Sequence, residues 1–388
     1  MRRLIALAAA CVALLLLAGC WNRRELETLG IILAAGYDWD AEQQEYVVTA
    51  QIAKPQAMAG EGAGKGPTSH VFTARGKTVF EASRNLSRIS TRKMWWGHVQ
   101  VLVIGEEAAK LGLSGLLDFI ERDGETRPLY FVVVTRGLAR NLMHLRASPE
   151  SVPAMGLTSL VKAAGATSTA PSARILDVSR ALEAPSAALI GVVGVSEGEA
   201  SDIGGPTKEF QLSGSAVFTK DKLVGFLDPQ ETRGALWVRS RVKSAILTVP
   251  CPGFPGRHVG VEVIHTASQI VPELDAEGRV RIRVSIRMEG NLGDQDCSFQ
   301  YADLDKIEVL DKLVGARIRS EVEAARTACA KLSADCFGAT DQVVRKFPVY
   351  WERKQKEIQA EGVPWPMLVE IEARVRGTGA QLKPTRPE

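Results

Sequence analysis

The sequence has no excess of charge of one sign, no internal apolar run long enough to cross a bilayer, and no short metal-binding signature. Lys and Arg number 48 against 45 Asp and Glu, and two of the cations, Arg2 and Arg3, stand at the very start. The rest carries 46 against 45, so no whole-protein field argues for nucleic acid as a partner. Past residue 20 no run approaches the ~18 apolar residues of a spanning helix. The five histidines, His70, His98, His144, His258 and His265, show no ligand spacing. His258 and His265 are seven apart in one expected strand, which puts them on opposite faces. H-E-x-x-H and C-x-x-C do not occur, which makes a structural zinc site unexpected.

Two near-motifs fail on their surroundings. Gly194-Val195-Ser196-Glu197-Gly198 fits G-x-S-x-G after a strand, but a nucleophile elbow needs a helix next. Here Ala-Ser-Asp-Ile-Gly-Gly-Pro follows. Gly62-Ala63-Gly64-Lys65-Gly66 imitates a phosphate loop, yet Gly66-Pro67 stands where Ser or Thr and a helix start are required.

What is present begins at the N-terminus. Met1-Arg2-Arg3 leads into an apolar run from Leu4 to Ala18, short for a span and right for the apolar core of a signal peptide. The run ends at Leu17-Ala18-Gly19-Cys20, a bacterial lipobox. Small residues at Ala18 and Gly19 admit a peptidase, and the Cys20 thiol is the nucleophile that takes a diacylglycerol. Cleavage then leaves Cys20 first, carrying covalent diacylglycerol and N-acyl (palmitate-type) lipid. Two acyl chains at about 0.8 kcal/mol per buried CH₂ give stable anchoring. Trp21 and Arg23-Arg24 suit the headgroup region beside the anchor. The expectation is residues 1–19 as a removed signal and the rest tethered outside the cell membrane.

Cys251, Cys297, Cys329 and Cys336 then remain, in a compartment that permits disulfides. Cys251 and Cys297 flank a hairpin turning at Asp275-Ala276-Glu277-Gly278 and would face each other; isolated small core residues are the alternative. Cys329 lies on the apolar stripe of a long helix and reads as core.

Along residues 20–195, a strand pair over 30–38 and 46–53 precedes a Gly-rich loop, 58–68. Strands at 71–74, 99–104, 129–135 and 187–195 then alternate with helices, including one over 106–120, which argues for an α/β layer. The Gly-rich loop divides this part into a hairpin and an α/β run that read as two subdomains. Thr78-Val79-Phe80-Glu81 has the capping-box form, and Val79, Ala82, Leu86 and Ile89 recur at helical spacing. Met94-Trp95-Trp96 follows Arg92-Lys93; adjacent aromatics with flanking cations make Trp95 and Trp96 candidates for partner contact, one of them pointing inward. Residues 196–208, polar and Gly/Pro-rich, read as the linker. Residues 209–377 are strand-rich with a long helix over 304–332 and a second over 341–360, and 378–388 reads as a disordered tail. The expected class is α+β and multi-domain: a mixed α/β part, then a strand-rich domain with a long helix.

Four stretches carry a family pattern. They are Cys20-Trp21 with Arg24-Glu25-Leu26; Gly76-Lys77-Thr78-Val79-Phe80-Glu81-Ala82 through Asn85-Leu86-Ser87-Arg88; Gly97-His98-Val99-Gln100-Val101 through Ile104-Gly105-Glu106-Glu107, then Leu117-Asp118-Phe119 and Arg122-Asp123; and Ala334-Asp335-Cys336-Phe337-Gly338 with Tyr350-Trp351. In this order the chain resembles the Ger(x)C spore-germination lipoproteins, the C subunits of nutrient germinant receptors in endospore-forming bacteria. It departs from them at Asn22, where members usually have Asp, and at Cys336, where an aliphatic residue is commoner. The resemblance implies a non-catalytic receptor subunit without cofactor, on the outer face of the spore's inner membrane beside an integral membrane B subunit and an A subunit. The rival class is a substrate-binding lipoprotein serving a transporter, whose two lobes would normally be similar α/β units; here the halves differ.

Overall fold

The fold is seen in a computed structural model that describes residues 1–3, 5, 28–54, 68–145, 150, 152–197, 208–299, 304–361 and 365–377. Cys20, the Gly-rich loop up to residue 67 and the tail 378–388 lie outside the described residues.

The first half is one mixed sheet between helices. Its strands are β1 (Leu29–Asp40), β2 (Glu45–Ala53), β3 (Ser69–Gly76), β4 (Lys93–Trp95), β5 (Val101–Gly105), β6 (Phe131–Thr135), β7 (Ala173–Arg174), β8 (Ala188–Glu197), β9 (Lys208–Thr219) and β10 (Lys222–Leu227). The order is β10-β9-β8-β6-β5-β1-β2-β3, with β4 beside β1 and β7 beside β6. β1, β5, β6 and β8 run parallel. One face buries α1 (Val79–Asn85), α2 (Glu106–Leu111), α3 (Ser114–Arg122) and α6 (Ile175–Glu183) through Ala82, Ala109, Phe119 and Val178; α4 (Ala139–Met143) and α5 (Pro153–Ala163) cover the other through Leu142 and Leu157. β1 pairs with both β2 and β5, so the hairpin and the α/β run share one sheet.

The second sheet has the order β11-β12-β13-β14, from β11 (Ile246–Pro250), β12 (His258–Leu274), β13 (Val280–Gln295) and β14 (Met367–Gly377). β13 and β14 are parallel, and the connection between them carries α8 (Leu304–Lys331), α9 (Ala339–Lys346) and α10 (Pro348–Glu361). Val280, Ile282, Val284 and Ile286 point inward with Leu310, Val314, Ile318 and Val322 of α8, while Arg281 and Arg287 of β13 stay wet. That alternation was legible from the sequence.

Two expected helices are corrected, and the strands on either side of the segment 196–208 pair: β9 returns antiparallel onto β8, so both belong to the first sheet. The chain leaves that sheet only at α7 (Pro229–Val238). The strands β8 to β10 serve as a shared wall, with Ile190, Ala216 and Phe218 in the first core and Leu189, Val217 and Leu227 in the second. The helix expected over 106–120 is two helices, because Gly112 takes φ +123° and Leu113 N turns to Asp221 O at 2.9 Å. The helix expected over 341–360 breaks at Phe347-Pro348, where proline removes a donor and forces its predecessor out of the helical region.

Candidate functional site

Two of the four family-like stretches, 76–88 and 97–123, meet at one surface cleft between α1, β4 and α3. α1 starts at Thr78, whose Oγ1 accepts from Glu81 N at 3.1 Å, while the Glu81 carboxylate accepts from Lys77 N at 2.7 Å. This is a capping arrangement displaced by one residue from the reciprocal box. Gly76 is required beneath it, since a Cβ there would overlap the backbone of Ala82. Val79, Ala82 and Leu86 face the sheet, which leaves Phe80 51 % exposed with the Arg84 guanidinium 5.0 Å from its ring centroid. α3 supplies Phe119, whose ring stands 5.8 Å from Phe80 and 6.4 Å, edge-on, from Trp96. The rim carries Lys93, 3.4 Å from Glu125, and Asp123.

Trp95 and Trp96 are both half-buried and point differently. Trp96 lines the cleft; the Trp95 indole N–H donates to His98 Nδ1 at 3.2 Å and packs over Gly97. β4 holds them in place by pairing parallel with Leu29–Ile31.

Behind Trp96 and Phe119 lies an apolar cavity of about 30 Å³. Two buried hydroxyls on its lining, Tyr37 OH and Ser83 Oγ, make no well-formed hydrogen bond, although Tyr46 stacks on Tyr37 at 5.6 Å. Burial pushes the Tyr37 phenol above its ordinary value, Tyr46 adding to it, and burial does the same to Tyr130. A water needs ~10–15 Å³ and polar partners, so the cavity suits one or two waters and is too small for a nutrient.

A second constellation ties the two sheets together. The Asp335 carboxylate accepts from Phe337 N (3.0 Å), Gly338 N (3.1 Å) and Thr340 N (2.6 Å), closing the turn before α9, and also from Ser186 Oγ (3.0 Å). Asp335 O accepts from Ala187 N at 3.0 Å, and Asp341 Oδ1 from Ser186 N at 3.0 Å. Arg239 donates to Cys336 O and Ala187 O, both at 2.6 Å; burial lowers its pKa from the usual value, opposed by Asp335 and Asp341. Sequence reasoning flagged residues 334–338 but missed Ser186, Arg239 and Asp341. An Asp three residues before a left-handed Gly338 was the available signal of a capped turn.

Cys251 and Cys297 lie together as a disulfide with Cα atoms 6.6 Å apart. Cys329, expected in the core, is buried and also bonded to Cys336, Cα to Cα 6.0 Å. Ser196 lies within β8 opposite Glu209, not on a strand-to-helix turn. Among the described residues no group of three or more His, Cys, Asp and Glu could hold a metal ion, and no helix is long and apolar enough to cross a membrane.

Fold and cleft together define an α+β protein of two sheets joined by a polar latch that holds one family-like stretch, with two more meeting at a surface cleft. The model "Spore germination protein N-terminal domain" matches residues 22–195, and "Spore germination B3/ GerAC like, C-terminal" matches residues 213–379. The chain belongs to this spore germination family. It is similar to Spore germination protein KC of Bacillus subtilis (strain 168), 28% identical over 395 residues, covering 97% of this chain and 96% of the relative. Spore germination protein B3 of the same organism is 22% identical, covering 88% of each. The crystal structure of the GerBC protein matches with a TM-score of 0.57 and 19% identity over 89% of this chain and 98% of that one, a likeness of fold.

Proposed function

We propose that this chain is the lipid-anchored, non-catalytic C subunit of a nutrient germinant receptor. Cys20 tethers it to the outer face of the spore's inner membrane, and it acts through contacts with the integral membrane B subunit and the A subunit. The observation that carries this reading is the continuous match of both family domains, 22–195 and 213–379, with a germination relative aligned over 97% of the chain. The cleft supports a contact role: an exposed Phe80 and a half-buried Trp96 over the buried Phe119, with an Arg at the rim, are the residue types that anchor protein interfaces.

Nutrient capture by this chain is the weaker reading. β1, β5, β6 and β8 succeed one another in a single direction across the sheet, so no reversal of order among these four opens a ligand crevice. The apolar cavity behind Trp96, about 30 Å³, is too small for a nutrient. The test uses spores in which no other nutrient receptor is present. Deleting the gene should abolish the nutrient response while a nutrient-independent trigger still works, and the native chain should restore it. An unchanged nutrient response in the deletion strain would overturn the reading; tight calorimetric binding of a nutrient by the full chain would replace it with the capture protein.

A further inference from the structure

β14 is the outer strand of its sheet among the described residues. Ile282 N donates to Pro366 O at 2.8 Å, which fixes the parity: even-numbered residues of β14 turn their main-chain groups to β13, odd-numbered ones outward. Two outward groups are capped by side chains of α8. Arg319 Nη1 donates to Val369 O at 3.0 Å, and Val375 N donates to Asp311 Oδ1 at 2.7 Å. Between the caps, the outward groups of Ile371 and Ala373 meet an open groove of about 660 Å³ that Gly315 and Ala316 leave free of side chain. Gly315 stands over this step: a Cβ there would lie 4.0 Å from both Ile371 and Ala373.

These features share one centre. Val369 and Val375 are equally spaced about residue 372, Asp311 and Arg319 equally spaced about Gly315, and the two capping side chains have opposite charge. The other face of β14 repeats the pattern, with Glu370 and Arg374 equally spaced about Glu372. A surface whose charges change sign across its own midpoint is complementary to itself under a two-fold rotation.

We propose that the β14 edge is a self-association surface, occupied by β14 of a second copy running antiparallel through a two-fold axis at Glu372 and Gly315. Ile371 then exchanges both main-chain hydrogen bonds with Ala373 of the second copy, and the two sheets become continuous. Glu370 faces Arg374 of the second copy, and Arg319 faces Asp311 of the second copy, each twice. Among the described residues Glu370 pairs with Arg283 at 3.8 Å, a long contact that leaves it able to take a second cation. Glu372 meets its own counterpart on the axis, already accompanied by Arg374 and, at 3.5 Å, Arg287. The two α8 helices cross at Gly315 and Ala316, where small side chains permit the close end of the ~8–10 Å packing range. A slip of two residues one way sets Glu370 against Glu372 of the second copy, which like charge disfavours.

The test is cysteine crosslinking and sedimentation of the full-length protein in detergent. Directly opposed antiparallel residues of the non-hydrogen-bonded type have Cα atoms ~4.5 Å apart, within disulfide reach. Glu372→Cys should therefore give a disulfide-linked dimer on mild oxidation, and Glu370→Cys should not, its counterpart lying four residues away at ~13 Å. Glu370→Cys mixed with Arg374→Cys should crosslink. Ala373→Pro, whose N–H points outward where an edge tolerates proline, should give monomers with an unchanged melting curve. Should that variant fail to fold, charge exchange decides: Glu370→Arg should weaken dimerisation on the order of tenfold, and adding Arg374→Glu should restore it. A protein monomeric at every concentration, equal crosslinking at 370 and 372, or a charge exchange without effect would each overturn the proposal.

Discussion

The Ser186 hydroxyl donates to the Asp335 carboxylate at 3.0 Å, across the junction between the two sheets and between residues 149 positions apart in the chain. Asp335 is 5 % exposed and closes its own turn with three further bonds. One carboxylate thus both shapes the α9 turn and holds the first sheet. Asp335→Ala should cost about 2–4 kcal/mol, because several buried N–H groups lose a charged acceptor at once. Denaturant titration followed by separate probes in the two halves checks this: the two transitions should separate in the variant.

Glu321 is fully buried and receives Arg233 Nε at 2.8 Å and the Trp237 indole N–H at 2.9 Å, with Arg317 Nε 3.1 Å away. Removing it strands the partly buried Arg233 cation, whose side chain is 12 % exposed. Glu321→Ala should destabilise the second domain by about 3–5 kcal/mol, measured as a shift of the urea midpoint. A paired Glu321→Leu and Arg233→Met variant should recover much of that loss.

Both disulfides should be found as linked peptides after digestion of the native protein without reductant. Cys251–Cys297 bridges 46 positions, so its removal by Cys251→Ser should cost roughly 2–5 kcal/mol. Free thiols at all four positions would contradict this.

Trp96 touches both the cleft surface and the ring of Phe119. Trp96→Phe should preserve the fold and lower co-purification of the subunits proposed as its partners; Trp95→Phe, which changes the His98 side of β4, should affect recovery less. Cys20→Ala should leave an unprocessed, unlipidated precursor, read by intact mass.

At the β12–β13 tip, Asp275 accepts from Arg279 N at 2.8 Å, Glu277 N at 3.1 Å and Arg279 Nε at 2.9 Å. The Arg279 main-chain N–H is the first cause holding its carboxyl below the usual value. The folded form therefore releases its proton at lower pH than the unfolded one. The contribution is present above the ordinary aspartate value of ~3.9 and is lost as pH falls through the folded value. Amide exchange at the tip should accelerate in that acid window, and Asp275→Asn should remove the pH dependence.

The β13 alternation, the α8 stripe, the Thr78 cap and the Gly278 turn were all legible because each is a local pattern whose period or φ preference needs no distant partner. The cleft was half legible: the Trp95-Trp96 pair announced itself, but nothing local told that Phe80 and Phe119 would close on Trp96. The placement of β9 and β10 was not legible, since strand propensity says that a segment pairs and not with which sheet. Gly112 and Pro348 were visible as residues, yet their breaks were read through because the apolar spacing continues across both.

By itself the sequence determined the leader expectation, the α+β class, the family and the elements whose periodicity is local. Tertiary structure alone decided that β9 and β10 pair with the first sheet, which turn Asp335 serves beyond its own, and that Cys329 meets Cys336. Those outcomes depend on which buried polar groups find partners across the junction, and burial is a property of the packed chain rather than of any segment of it.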